Sequence, residues 1–365
     1  MVHRLEATRG CLLGMAVGDA MGYTVDSRSW PEIQEDYGPN GLLGYDLVNG
    51  YADVTSYTQL AAFSCNGLLI AITRGQLKGV MAPLSKYVGL SCREWAASQR
   101  PWGRPEHTFC WLLHQPELCR RHCMDTRMLD TLSRRDLGTL DDPQNSFSNP
   151  SSLTCAVSAG LFSGTHKMEQ REIDLLGAEV VALSHGAPVA FLSGAALAHI
   201  ISRSLENPQL PLKNLVLETA RVLKDQFGHQ YSPAFEVSSL LHQAVSLADS
   251  PSTDPVTAME FLKCQNAAQV LAGAVYACLV SHSFDSALIV AVNHSGRSAA
   301  VGAITGAILG LRMGDRALPA FYIECLEPAE TLAEIAYDLY HGCPMEMGNK
   351  LFDLDWDRKY VHGGK

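Results

Sequence analysis

Acids and one arginine set in runs of small residues are where this sequence could do chemistry. Asp19 lies inside Gly14-Met-Ala-Val-Gly-Asp-Ala-Met-Gly22, beside Gly18, and Asp26 follows shortly after. Asp and Tyr act as general acid or base when their surroundings shift their pKa, so Asp19, Asp26 and Tyr57 are acid–base candidates. A plainer reading stands beside each. Gly18 and its neighbours allow close helix packing, Asp19 caps a neighbouring backbone, and Asp26 makes a turn. His107, Cys110, His114, Cys119, His122 and Cys123 could suggest zinc, but the paired C-x-x-C spacing that marks such sites is missing. The expectation there is buried thiols on one helix face.

These groups need elements to hold them, and the sequence reads almost wholly helical. Thr58–Thr73, Asp174–Leu183, Pro188–Leu205, Lys213–Phe227, Pro233–Ala248, Asn266–Ser281, Ser283–Asn293, Ser298–Leu311 and Pro328–Tyr340 carry apolar residues at three- and four-residue spacing. Leu42–Tyr51 reads as a short extended piece. Ser27–Asp53, Ala97–Pro105 and Arg134–Ser152 read as loops. The expected architecture is an all-α, compact multi-helix bundle forming a single domain over residues 1–365.

Composition narrows the partners. A formal charge of −10 and no Lys/Arg cluster argue against nucleic acid and against a membrane surface. The apolar stretches Ala267–Val280 and Ala299–Leu311 are too short to span a bilayer, and residues 1–19 do not read as a signal peptide. Eleven scattered cysteines are expected to be reduced thiols in a cytoplasmic protein.

Four segments, in order, resemble the ADP-ribosylglycohydrolase family (the dinitrogenase reductase-activating glycohydrolase-like proteins). Gly14–Gly22 with Asp26 is similar to the opening G-x-x-x-G-D-A-L-G followed by a glutamate. Thr55-Ser56-Tyr57-Thr58 resembles T-D-D-T. Leu183-Ser-His185-Gly-Ala-Pro188 resembles T-H-x-x-P. The run from Ala291 to Gly310 resembles A-V-N-x-G-G-D-x-D-T-x-A-A-I-x-G-A-I-x-G. The resemblance implies an all-α fold whose cleft holds two magnesium or manganese ions and cleaves ADP-ribose from protein side chains.

The same comparison implies that this chemistry is gone. The positions matching the metal motifs are Thr55, Ser56, Tyr57, Thr58, Arg297, Ala299 and Ala300, and none is a carboxylate. Hard cations need oxygen ligands, preferably carboxylates. A guanidinium repels them, by several kcal/mol at ~4 Å from a divalent ion. The segment Asn149–Leu161, matching a glycine-rich stretch of the ADP-ribose cleft, keeps the closing Gly160-Leu161 but not the other glycines, the arginine or the proline. The implied protein is a pseudoenzyme with no cofactor, no metal and no catalytic residue beyond the candidates Asp19 and Asp26. Gly18, Asp19, Ser295, Gly296 and Arg297 are its candidate ligand-binding residues. Arg297 is expected to pair with Asp19 or Asp26, and Tyr57 to fill vacated volume. An ADP-ribose-like small molecule or a protein partner is the expected occupant. The alternatives are an active ADP-ribosyl hydrolase, in which Asp53 supplies a missing ligand, and a metal-independent enzyme.

Overall fold

The computed structural model describes residues 2–101, 108–122, 125–163, 168–250, 252–345 and 352–365. Among them the chain forms α1 (Arg4–Tyr23), α2 (Trp30–Tyr37), α3 (Ser56–Lys78), α4 (Leu84–Ser98), α5 (Thr126–Leu132) and α6 (Cys155–Phe162). Then come α7 (Gln170–Ala182), α8 (Pro188–Glu206), α9 (Leu212–Phe227), α10 (Pro233–Ala248), α11 (Pro255–Leu262) and α12 (Ala267–Val280). The series closes with α13 (Phe284–Val292), α14 (Ser298–Met313), α15 (Ala320–Glu324), α16 (Ala329–His341) and α17 (Leu354–Tyr360). The only extended pairing among the described residues is two isolated bridges, Val48 with Tyr51 and Ala52 with Leu326. The all-α expectation holds, and the extended piece at Leu42–Tyr51 shrinks to one such bridge.

The axis of the molecule is the antiparallel pair α1 and α14. Glycines recur every fourth residue on both: Gly10, Gly14, Gly18 and Gly22 on one, and Gly302, Gly306 and Gly310 on the other. A Cβ placed on Gly18 would come within 1.9 Å of the Gly302 carbonyl oxygen, and one on Gly14 within 2.3 Å of that of Gly306. No side chain can stand there, so the two backbones touch. Their contact fixes the end of α1, with Asp26 beyond it, against the start of α14, with Arg297 as its N-cap residue.

Other helices wrap this axis: α16 against α1, α12 and α13 against α14, and α3 with α4 and α6 alongside. α8 is long and apolar enough to cross a membrane, yet 83% of its apolar window is buried inside the protein. It is a core helix, packed on α6 and α7. Helix starts follow local chemistry. Asn266 with Gln269 and Ser283 with Ser286 form reciprocal caps on α12 and α13.

Ser27–Asp53 is not all loop, because α2 lies inside it. Its start carries a capping box, Ser29 with Glu32, and a first-turn proline, Pro31. α4 was likewise not read from the sequence.

Candidate ligand cleft

Three of the four segments that carry the resemblance meet at one cleft of about 220 Å³. Tyr23, Asp26, Thr55, Ser56, Tyr57, Arg297 and Ala299 line it together with His122, Asp125–Arg127 and Asn149–Ser151, and the Tyr23 ring stacks on His122.

Asp19 is not on this surface. It has no exposure and is spent on the start of α3. Its carboxylate accepts from the Thr55 N–H at 2.9 Å, the Thr55 hydroxyl at 2.7 Å, the Thr58 N–H at 3.1 Å and the Thr58 hydroxyl at 2.6 Å. Burial raises its pKa to about 6, against the lowering effect of those four donors. Thr55 and Thr58, the two surviving hydroxyls of the motif, are therefore donors to an internal cap. Gly18 is buried against Gly302, Gly296 sits on Cys264, and the Ser295 hydroxyl accepts from the Trp30 N–H at 2.8 Å. Gly18, Asp19, Ser295 and Gly296, with Thr58 and Ala300, are not among the residues that line this cleft.

Arg297 and Asp26 do reach the cleft, as a pair with each other. Arg297 Nη1 donates to the Ser27 hydroxyl at 2.8 Å and stands 3.8 Å from Asp26 Oδ2. Asp26 Oδ1 accepts from the Ala299 N–H at 3.1 Å, which caps α14. Burial raises the Asp26 pKa, while the Ala299 N–H, Arg297 and the Ser27 hydroxyl lower it. Of the two acids expected to face Arg297, Asp26 does so. Tyr57 is almost fully buried and its phenol pKa is pushed well up, chiefly by burial and then by Asp26. It occupies volume at the cleft floor as a neutral side chain.

Asn149–Ser151 belong to the segment matched above to the ADP-ribose cleft, whereas Asp125 beside them was not read from the sequence. Asp125 caps α5 through the Met128 N–H at 3.1 Å. It also accepts from Ser151 Oγ at 2.9 Å and Asn149 Nδ2 at 3.0 Å. Burial alone raises its pKa, but these donors and nearby His185 outweigh it, and the net shift is downward. His185, fully buried, holds Asn149 in turn: its Nε2 lies 2.8 Å from Asn149 Oδ1, and its Nδ1 lies 2.8 Å from Ser152 Oγ and 2.9 Å from Ser184 Oγ. Asn149 Oδ1 accepts, so Nε2 carries the proton. Burial lowers the His185 pKa to about 4, which keeps it neutral. The only sequence signal for Asp125 is an acid ahead of the short apolar run of α5, which marks a cap and says nothing of a cleft.

The donor set does not suit two hard dications. Asp26 and Asp125 are the carboxylates on the cleft, each held by an N–H and flanked by a guanidinium: Arg297 for Asp26, and Arg127 at 3.8 Å for Asp125. Asp53 is engaged elsewhere, paired with Arg120, which also donates to Glu327 at 2.7 Å. That pairing leaves Asp53 no free role as a substitute ligand. Among the described residues no three His, Cys, Asp or Glu side chains converge as a metal site. Cys110 precedes and His114 ends a single 3₁₀ turn, Trp111–His114, so they do not share one face of an α-helix, while His107 and Cys123 lie outside the described residues.

The family model for ADP-ribosylglycohydrolase matches residues 2–348. No curated protein matches the chain by sequence. A solved chain described as an ADP-ribosylglycohydrolase-related protein complex is similar at 20% identity and a TM-score of 0.57, over 93% of this chain and 98% of that one. That structural likeness bears on the fold alone. The four ordered segments, the all-α architecture built on α1 and α14, and the match over nearly the whole length place this chain in the ADP-ribosylglycohydrolase family.

Proposed function

We propose that this protein is a pseudoenzyme of its family: a cytoplasmic, metal-free member that no longer performs two-metal hydrolysis and keeps its cleft as a binding site. What supports this most is Arg297. A permanent cation stands in the block that would have to supply carboxylates, and it is held there by Ser27 and Asp26. Internal ion pairs supply the charge balance that ligands and metals would otherwise give each other. The occupant is a small molecule related to the whole or a part of ADP-ribose, or a segment of a protein partner. Calorimetric titration of the purified chain with magnesium and manganese tests the metal-free part. The expected result is no stoichiometric binding, and tight uptake of two ions would overturn the reading.

One observation favours a second reading, metal-free acid–base chemistry. Asp26 and Asp125 share the cleft, and their environments push them in opposite directions, one pKa up and one down. Its signature would be turnover that survives a chelator and is abolished by Asp26→Asn.

A further inference from the structure

The ligand class of the cleft can be narrowed from its size, its spent donors and its charge. At about 220 Å³ it falls below the roughly 300–1,000 Å³ of sites that enclose drug-sized ligands. A nucleoside diphosphate sugar would overfill it.

The donors that would greet a phosphate are also taken. Helix N-termini bind anions through vacant N–H groups. Here the start of α14 is capped by Asp26, that of α5 by Asp125 and that of α3 by Asp19. A phosphate would have to displace a protein carboxylate and face another. The charges on the walls are two carboxylates and two guanidiniums, already matched in pairs, so the cleft favours a neutral guest.

What remains suits a polyol. Asp26 offers acceptor oxygens, Arg297 is 40% exposed and offers N–H donors, Ser56 offers a hydroxyl, and Ser151 Oγ, which donates to Asp125, still accepts. A sugar hydroxyl donates to a carboxylate and accepts from a guanidinium at once. Tyr23, 36% exposed and stacked on His122, lines the same space and supplies ring surface for the C–H face of a sugar. We propose that the cleft binds one free monosaccharide ring, a pentose or hexose without phosphate. This inference rests on the metal-free reading above.

The test is calorimetry on the full chain in chelator with ribose, arabinose, xylose, glucose and galactose, with ADP-ribose alongside. The expected result is one-to-one binding of at least one free sugar, weakened tenfold or more in both Asp26→Asn and Arg297→Gln. Asparagine keeps an acceptor for the α14 cap, and melting curves of both variants establish that they fold. Silence from every sugar would overturn the proposal. So would binding that both folded variants retain, or ADP-ribose binding tighter than any free sugar. Magnesium uptake in the parallel titration would overturn the metal-free reading itself, whereas silence from the sugars without magnesium uptake overturns only the monosaccharide.

Discussion

Asp19 shows how a residue in a recognisable motif can be spent on structure. Its identity and its glycine neighbours were plain in the sequence, but its partners Thr55 and Thr58 lie 36 and 39 positions away. Only the fold tells whether the acid serves a ligand or a helix start. Asp19→Asn puts an amide NH₂ where a carboxylate oxygen accepted N–H and O–H groups. We expect it to cost about 2–4 kcal/mol of stability, measured by chemical denaturation. The pH dependence has a definite sign. The folded pKa of about 6 lies above the ordinary 3.8, so the stability linked to this group is fully present below the lower value and is lost as pH rises through the upper one. The gap between the natural protein and the Asn variant should therefore narrow from pH 4 to pH 7. A gap that widens over that range would contradict the burial of this carboxylate. Asp125 marks the opposite limit of legibility. Its own surroundings in sequence announce a helix cap, while its place on the cleft depends on Asn149 and Ser151, which a turn-rich loop brings across.

At the scale of elements, the glycine spacing was the most legible feature. Small residues every fourth position imply backbone contact, and α1 and α14 make it. Gly302→Ala would place a Cβ 2.2 Å from the Gly18 carbonyl oxygen, with backbone on the other side and no flexible side chain to yield. Its expected cost is about 3 kcal/mol or more by thermal unfolding. Gly44→Ala is the control: the nearest atom lies 4.0 Å away, and its effect should stay within about 0.5 kcal/mol. Equal effects at both positions would refute the contact. The helix starting at Trp30 could have been read too, since Ser29, Pro31 and Glu32 form a standard start signal. It was hidden by the turn-formers around it, because Gly38, Pro39, Asn40 and Gly41 follow at once. Boundaries elsewhere moved by a few residues, as for α7, which begins at Gln170 under a cap from Glu169 and Glu172.

For the whole molecule, buried neutral histidines set the response to acid. Burial lowers His185 and His294 to about 4. The unfolded chain takes up those protons first, so the stability linked to them is present above about 6.5 and is lost as pH falls toward 4. Asp19, Asp26 and Asp338, whose pKa values burial raises, act in the opposite direction. The histidine share is therefore read from a variant: His185→Gln should leave the melting temperature less sensitive to acidification below pH 6.5 than that of the natural protein, by about half of the two-histidine share. An unchanged pH dependence in the variant would mean that this imidazole is not held neutral. The fold was legible because its determinants, apolar periodicity and glycine spacing, are local. The cleft was legible only in part because its walls come from segments far apart: the lost aspartates and the intruding Arg297 could be read, whereas the Asp125 wall and the service of Thr55 and Thr58 to Asp19 could not.

The central claim is that metal chemistry left this cleft by substitution on an intact scaffold. The most direct measurement is release of ADP-ribose from ADP-ribosylated arginine and serine substrates with magnesium. The natural protein is compared with a variant carrying Ser56→Asp, Tyr57→Asp, Arg297→Asp and Ala299→Asp. The account predicts no release by the natural protein and the appearance of metal binding or release in the variant. Magnesium-dependent release by the natural protein would contradict it.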